Sequence, residues 1–250
     1  MKLLLLLFIL ILFSILSKKN NQDNKKLEEI NNKTVELVKF TNIRSLHLLE
    51  LGFNFNQKKV LDIGSINGNF SKIISKLNGE VTLSTPNEEM YHKLSKKYNV
   101  IKLNIENEVD FENLEYYDYI LCYDVLEHIE NPIKAIKNMA SKSDILIIES
   151  TFSNFYDDNI LNVKNEKSIN TSENGIGSRF SRDTLYKVLN NHYNYIYSVK
   201  KLPNHFSYQK SWEQVNYRDN LTQKGRDILV ASKKNIYNVN LDFGLIKNHN

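Results

Sequence analysis

Short apolar runs alternate with amphipathic stretches along the central part of the chain. The runs predict strands over residues 59–63, 80–84, 100–103, 119–123 and 144–149. Between them, apolar positions recur at helical spacing, which predicts helices near residues 67–77, 87–98 and 132–140. Strands that alternate with helices are typical of a parallel sheet with helices on both faces.

The alternation stops after residue 149. A helix capped by Ser181 is predicted over residues 181–190, and further strands over 193–199 and 227–232. With the earlier runs, these strands make a mostly parallel, seven-stranded sheet of the α/β class. One or two helices are predicted before the sheet, over residues 27–51, whereas residues 151–177 and 203–222 have no regular pattern.

The N-terminal residues form a separate apolar segment. Residues 3–16 are apolar apart from Ser14, and lysines precede and follow the run. The run is shorter than the ~20 residues of a bilayer-spanning helix and suits the core of a signal peptide, but no small-x-small cleavage site follows it. Its lysine-rich downstream flank favours a cytoplasmic location for the rest of the chain. We therefore predict a membrane anchor over residues 1–17, a polar linker over 18–26 and one cytoplasmic domain over 27–250. The alternative is a cleaved signal and entry into the secretory pathway.

The composition excludes several classes of protein. With 250 residues, of which 41% are hydrophobic and 25% charged, the chain can bury one sizeable core. Its single cysteine, Cys122, rules out a disulfide framework and a zinc finger, and we expect it to be a small core residue. The net charge of +4 is spread along the chain, so we predict no nucleic-acid partner.

The end of the first predicted strand carries a candidate ligand site. Asp62 is followed by Gly64 and Gly68, with Ser65 between them, where the next helix begins. Glycines there allow a tight turn and let a ligand approach bare backbone at a helix N-terminus. The same residues could also serve only the turn and the packing of the helix.

This segment resembles the first motif of the class I S-adenosylmethionine-dependent methyltransferases, which has the form hydrophobic-D-x-G-x-G-x-G. Ile66 takes the place of the middle glycine. The resemblance extends through the order of elements from about residue 58 to 149, and includes Leu126-Glu127-His128 before the helix that Pro132 starts. It implies a Rossmann-like fold, S-adenosylmethionine as the cofactor, and substrate-covering insertions over 151–177 and 203–222. The residues that it assigns to cofactor binding are Asp62, Gly64, Ser65, Gly68, Thr85, Asn104 and Asp124.

Two of these positions depart from the family pattern. Where the family usually has an acidic residue for the ribose diol, this chain has Thr85, and Asn87 or Glu88 could substitute for it. At the end of the third strand, Asn104 replaces a frequent Asp, and its amide oxygen could still accept a hydrogen bond from the adenine amine. Both changes remove negative charge from the predicted cofactor pocket.

The residues after the fourth strand are candidates for catalysis. Asp124 is expected to face the cofactor, and His128, about one helical turn further on, is the candidate general base because an imidazole titrates near neutral pH. In an alternative interpretation, Asp124, Glu127 and His128 bind a hard cation, but no supporting partners are visible and we assign no metal.

The motifs also limit the substrate. The chain lacks the Asn/Asp-Pro-Pro-aromatic tetrapeptide and the Pro-Cys pair of enzymes that methylate nucleic-acid bases. We therefore expect a small hydroxyl or amine substrate, such as a sugar, a lipid head group or a quinone-like molecule. One alternative is a degenerate, non-catalytic, membrane-tethered binding module, which Thr85 would support. A second is a nicotinamide-dependent oxidoreductase, whose Gly-x-Gly-x-x-Gly fingerprint this chain does not match.

Overall fold

The structure of the chain is a computed structural model. It describes residues 43–153, 161–164, 175–205, 207–208, 212 and 224–249, with only the backbone described for 161–164 and 224. The predicted anchor, the linker and most of the two predicted insertions lie outside these residues. None of the helices in the described part of the chain combines the length and the apolar character that are needed to cross a membrane.

The elements are labelled here in chain order. The helices are α1 Ile43–Glu50, α2 Asn69–Lys76, α3 Glu88–Leu94, α4 Glu108–Glu112, α5 Pro132–Ser141 and α6 Arg182–Asn190. The strands are β1 Lys59–Ile63, β2 Glu80–Thr85, β3 Asn99–Lys102, β4 Tyr117–Tyr123, β5 Ser143–Ser153, β6 Leu161–Lys164, β7 Ile176–Arg179, β8 Tyr195–Val199, β9 Lys224–Ser232 and β10 Leu241–Phe243. A 3₁₀ turn, Leu126–His128, follows β4.

The main sheet confirms the predicted α/β fold. Its strand order is β10-β8-β9-β5-β4-β1-β2-β3, with the five strands from β5 to β3 parallel and β9, β8 and β10 antiparallel. Among the described residues this sheet has eight strands rather than the predicted seven, because the short β10 pairs with β8. Strands β6 and β7 form a separate antiparallel pair.

The two faces of the sheet bury two hydrophobic clusters. Successive residues of β4 alternate between them: Ile120 and Cys122 pack on one face, and Leu121 and Tyr123 on the other. Residues of α4, α5 and α6 join the first cluster, and residues of α1 and α2 join the second. The face that carries Tyr123 is called the Tyr123 face below.

The topology places a crevice at the centre of the sheet. Strands β1 and β4 are neighbours, and the chain passes from them to opposite sides, to β2 and to β5. In open α/β sheets, ligands bind outside the carboxyl ends of the strands at such a point. The turns that begin at Gly64 and Asp124 therefore border the crevice.

Some elements differ from the predicted ones because tertiary pairing decides their extent. Strand β5 continues to Ser153 instead of ending at residue 149, since β9 pairs with it from Ile145 through Ser153. The short helix α4 was not predicted, and part of the segment 151–177 that lacks a regular pattern belongs to β5, β6 and β7.

Candidate functional site

The turn after β1 is shaped by two glycines in the left-handed region. Gly64 has φ +69° and Gly68, the N-cap of α2, has φ +66°. A Cβ at Gly64 would lie 2.7 Å from Cγ2 of Val125, and one at Gly68 would lie 2.5 Å from the ring of Tyr98. Ser65 stabilises the turn, because its Oγ accepts a hydrogen bond of 3.2 Å from the Gly68 N–H. Both positions therefore require glycine, for backbone and steric reasons together.

A cleft opens beside this turn. Its walls come from the ends of β1, β2 and β3 and from the segment after β4: Ile63, Gly64, Ser84, Pro86, Leu103, Asn104, Ile105, Val125 and Ile129. An apolar slot with two polar side chains suits a flat base attached to a sugar. The space that the missing side chain of Gly64 leaves in the wall also fits a ligand that touches backbone.

Thr85 lies at the end of β2 but does not line the cleft; its neighbours Ser84 and Pro86 do. The Thr85 side chain is buried, and its Oγ1 accepts a hydrogen bond of 3.2 Å from the N–H of Asn87. Asn87 in turn caps α3 by accepting from Met90, and Glu88 pairs with Lys102 and His92. A role for Thr85, Asn87 or Glu88 at the ribose stays a prediction, and this geometry gives it no support.

Asn104 does line the cleft, as the sequence predicts for the adenine end. Its Oδ1 accepts a hydrogen bond of 2.9 Å from the N–H of Glu106, and its own N–H donates to Asp110 at 2.8 Å. These bonds hold the loop after β3 in place. Its contact with a bound adenine remains a prediction.

Asp62 is buried on the Tyr123 face, with 2% of its surface exposed. Burial raises the pKa of its carboxyl to about 7, an effect that a hydrogen bond with Ser65 partly offsets. Within the described part of the chain, Asp62 Oδ2 has no hydrogen-bond partner. A buried carboxylate oxygen without a partner at the end of β1 is suited to a ligand that donates a hydrogen bond.

Asp124 follows β4 in a left-handed conformation, with φ +61°. Its N–H donates to the carbonyl of Glu149 at 3.0 Å, and its carboxylate bonds to Arg226 and, at 3.2 Å, to Arg44. Burial opposes the charge of Asp124, but His128, Arg226 and Arg44 outweigh it and lower the pKa of the carboxyl well below its usual range. The neighbouring Val125, not Asp124, lines the cleft. The cofactor-binding role predicted for Asp124 is thus untested, and its observed partners are two arginines.

The two arginines were not identified from the sequence. Arg226, on β9, also lies 2.8 Å from Glu149 and 3.3 Å from Glu127, and Arg44, on α1, lies 3.5 Å from Glu149. Burial raises the pKa of Glu149 to about 7, although both guanidinium groups favour its charged form. No local motif marks these arginines, because their partners are distant in the chain.

Glu127 serves the structure of this end of the sheet. Its carboxylate accepts hydrogen bonds from the hydroxyl of Ser150 at 2.8 Å and from the N–H and hydroxyl of Thr151 at 3.1 and 3.0 Å. These bonds tie the 3₁₀ turn to β5, and so fix the position of the next residue, His128.

His128 lies with 21% of its side chain exposed, and its Nε2 is 3.9 Å from Oδ1 of Asp124. Asp124, Glu127 and His128 offer ligand atoms within 4.8 Å of one another, as a metal site would. However, the guanidinium of Arg226 already contacts both carboxylates, so their charge is balanced by a cationic side chain. This pairing favours an orienting role of Asp124 toward His128 over a metal site.

Comparisons with known proteins agree with this architecture. Residues 38–195 match a sequence family described as a methyltransferase domain. The N-terminal domain of EvdMO1, solved with S-adenosylhomocysteine (SAH) bound, superposes with a TM-score of 0.60 at 15% identity, covering 76% of this chain and 80% of that one. A second structure of the same domain, solved in the presence of SAH and D-fucose, gives the same TM-score and identity. That match covers 83% of this chain and 97% of the EvdMO1 domain.

A third solved structure has the same fold. It is a SAM-dependent methyltransferase from Archaeoglobus fulgidus, with a TM-score of 0.50 and 16% identity over 79% of this chain and 94% of that one. No curated protein sequence is significantly similar to the chain. Since the family match spans more than half of the chain and the glycine turn and cleft fit a nucleoside cofactor, the protein belongs to the class I methyltransferases that use S-adenosylmethionine.

Proposed function

We propose that this methyltransferase acts on a hydroxyl or amine of a small molecule and that His128 is its general base. The observation that carries the proposal is the placement of the imidazole. In the chain, His128 lies between two residues that line the cleft, Val125 and Ile129, although its own side chain is not among the lining residues. Its Nε2 lies 3.9 Å from the carboxylate of Asp124, which two arginines contact. A histidine with a carboxylate beside it is an arrangement that suits proton removal.

The chemistry divides between the cofactor and the side chains. When bound, S-adenosylmethionine supplies an electrophilic methyl group. The acceptor oxygen or nitrogen would form the new bond to that carbon as the carbon–sulfur bond breaks, and SAH would leave. His128 accepts the proton that the acceptor loses on Nδ1, the ring nitrogen other than the one near Asp124, and Asp124, on the Nε2 side, stabilises the resulting imidazolium. The arginine pair keeps Asp124 ionised throughout this step.

The test is an acceptor screen that measures the release of SAH. Sugars come first in the panel because the EvdMO1 domain was crystallised in the presence of D-fucose, and lipid head groups and quinone-like phenols follow. The proposal is supported if the wild type methylates one acceptor class and the variant His128→Ala does not, although this variant still binds SAH. Turnover that His128→Ala leaves unchanged contradicts the role of His128.

A second candidate function is a non-catalytic binding module. It is favoured by the absence of an acidic side chain at Thr85 and by the engagement of Glu88 with Lys102. Binding of SAH without turnover of any acceptor class would favour this candidate.

We further propose that residues 3–16 attach the protein to a membrane, with the methyltransferase domain on the cytoplasmic side. The support is the apolar run and its lysine-rich downstream flank. Signal cleavage and secretion remain the alternative.

A further inference from the structure

The segment from residue 237 to residue 243 carries three exposed apolar side chains. Tyr237 is 94% exposed, Val239 83% and Phe243 68%, the three highest values among the large hydrophobic residues that the structure describes. A single exposed apolar residue is ordinary, whereas a group of them is typical of a surface that meets a protein or a membrane.

The three side chains are held along one edge of the main sheet. Phe243 lies on β10, the last strand at this end, and its ring packs edge-on against Tyr197, with the ring centroids 5.8 Å apart. The hydroxyl of Tyr197 accepts a hydrogen bond of 2.9 Å from the N–H of Ile236, the residue before Tyr237. Val239 follows two residues later. Tyr237, Val239 and Phe243 are called the β10 surface below.

A pair of lysines follows each of the two neighbouring strands. Lys200 and Lys201 follow β8, which ends at the carboxyl edge of the parallel strands. Lys233 and Lys234 follow β9, which runs antiparallel and ends at the opposite edge. Lys201 and Lys234 are exposed, whereas Lys200 and Lys233 are partly buried and bond to neighbouring groups. The two pairs therefore lie toward opposite ends of the β10 surface.

Both lysine pairs are close to the apolar side chains. The N–H of Lys200 donates to the carbonyl of Asn240, next to Val239, at 2.9 Å. Lys234 precedes Tyr237 by three residues. Positive charge and exposed apolar surface are thus combined on the same part of the molecule.

The surroundings of the β10 surface have an excess of positive charge. The stretches 195–205 and 233–249 contain five lysines and one acidic residue, Asp242, which is itself paired with a lysine at 3.4 Å. Glu50, at the end of α1, adds one carboxylate on this side, since its carbonyl accepts a hydrogen bond of 3.1 Å from Asn240. This balance favours an anionic partner.

An anionic lipid bilayer fits this combination. Aromatic rings partition into the head-group region of a membrane, aliphatic side chains lie at the acyl boundary, and lysines attract anionic head groups. A second copy of this chain fits less well, because β10 has only three residues and is followed by Gly244 with φ +83°, which leaves a short edge for pairing. Two copies would also bring like charges together.

We propose that the β10 surface and its two lysine pairs bind the head-group region of an anionic membrane. Such a contact is reversible by itself, since stable anchoring takes two signals, so it complements the proposed attachment through residues 3–16. It is independent of the proposed catalytic function.

The test follows the surroundings of individual positions in the full chain. Since the single cysteine, Cys122, is buried, a thiol-reactive and polarity-sensitive fluorophore such as NBD labels only an introduced thiol. Vesicles of phosphatidylcholine and phosphatidylserine should shift the emission of labelled Val239→Cys to shorter wavelength, because the label enters the head-group region. Phe243→Cys gives a second labelled position that should respond in the same way.

The matched control is Val109→Cys. Val109 is also an exposed valine, at 61%, but it lies on α4, which packs on the other face of the sheet. Its label should stay in water when the vesicles are added. Attachment through residues 3–16 alone would leave every label in water, and this result, like an equal shift at Val109, would overturn the proposal.

The role of the lysines is tested in the labelled Val239→Cys chain. Adding Lys201→Gln and Lys234→Gln should raise the anionic lipid concentration needed for the shift by about fivefold for each lysine removed. The control is Lys96→Gln with Lys97→Gln, which removes the same charge from two exposed lysines between α3 and β3. An equal rise in both variants would reduce the effect to net charge and overturn the proposal.

Two other occupants of the surface give different results. A shift of the Val239→Cys label that grows with protein concentration in the absence of vesicles would assign the surface to a second copy of the chain. An equal shift with vesicles of pure phosphatidylcholine would remove the role of the lysine pairs. Either result would overturn the assignment to an anionic membrane.

Discussion

Arg226, on β9, bonds to the carboxylate of Asp124, which follows β4 and lies 102 positions earlier in the chain. The same guanidinium lies 2.8 Å from Glu149 and 3.3 Å from Glu127, so one arginine contacts three carboxylates. Removing one partner of a buried ion pair leaves uncompensated charge, which costs more than the pair contributes. Arg226 therefore holds these three carboxylates together at this end of the sheet.

Replacing Arg226 by Met should lower the free energy of unfolding by about 3–5 kcal/mol, because it leaves buried carboxylates unpaired. Urea denaturation monitored by fluorescence measures this. The control is Lys58→Met, which breaks the more exposed pair of Lys58 with Asp118 and should cost far less. Similar losses of unfolding free energy in the two variants would mean that the ion pairs of Arg226 contribute no more to stability than a surface ion pair does.

Asp62→Asn should stabilise the protein at high pH. The pKa of Asp62 is raised to about 7 in the folded protein from 3.8, so the folded state keeps a proton that the unfolded state has lost between these values. The wild type therefore loses stability as the pH rises from about 4 to 7, by at most about 4 kcal/mol, and Asp62→Asn escapes this loss. Thermal melts at pH 5 and pH 8 compare the two proteins.

Asp118→Asn is the control of opposite sign. Burial opposes its charge, but the hydrogen bond from Lys58 outweighs this and lowers the pKa of Asp118. The charged Asp118 therefore stabilises the folded protein at a pH above the pKa of the unfolded state. This stabilisation is lost as the pH falls through the pKa of the folded state, so Asp118→Asn should be destabilising at pH 8 and neutral in strong acid. If the stability of Asp62→Asn relative to the wild type does not increase between pH 5 and pH 8, burial does not destabilise the carboxylate of Asp62.

His128→Ala should lower turnover by roughly 10²–10⁴ and leave the affinity for SAH within about threefold, because a positioned base acts on the acceptor's proton. If His128 is the base, kcat/KM of the wild type rises with pH as the imidazole loses its proton. This rise should disappear in the variant His128→Ala. Asp124→Asn should reduce turnover and shift that pH limb to lower pH, since it removes the charge that favours the imidazolium. A pH profile that is unchanged in both variants would exclude a proton-accepting role.

Gly64→Ala should weaken the binding of SAH and of 5′-methylthioadenosine about tenfold or more, because the new Cβ would be strained at φ +69° and would contact Val125 in the cleft wall. Gly79→Ala is the steric control. A Cβ there would lie 2.5 Å from Ile74, but Gly79 is not among the residues that line the cleft. Both variants should lose stability, and only Gly64→Ala should lose affinity, as titration calorimetry can measure.

Deletion of residues 1–17 should move the protein from the membrane fraction to the soluble fraction, because the apolar run is the proposed attachment. Affinity for SAH should stay the same. Fractionation of cells that express each form, followed by immunoblotting, measures the partition. An identical distribution of both forms would contradict the proposed attachment.

Local features of the sequence predicted the framework of the site. The strand that ends at Ile63, the glycine turn after it and the helix that Pro132 starts all depend on interactions between residues close in the chain. Backbone conformation, strand alternation and the first turn of a helix are determined at that range, so the turn at Gly64 and the alternation of strands and helices along the chain could be predicted.

Only the tertiary structure decided which side chains complete the site. Ser84 lines the cleft and the adjacent Thr85 does not, because successive residues of a strand point to opposite faces, and only the packed sheet decides which of the two borders the cleft. The partners of Asp124 are 80 and 102 positions away, on α1 and β9, and no short-range pattern encodes such a pair. They meet because the sheet places the carboxyl ends of β4 and β5 beside the start of the antiparallel β9, and because α1 packs in the cluster on the Tyr123 face. This is a result of long-range burial that no local segment specifies.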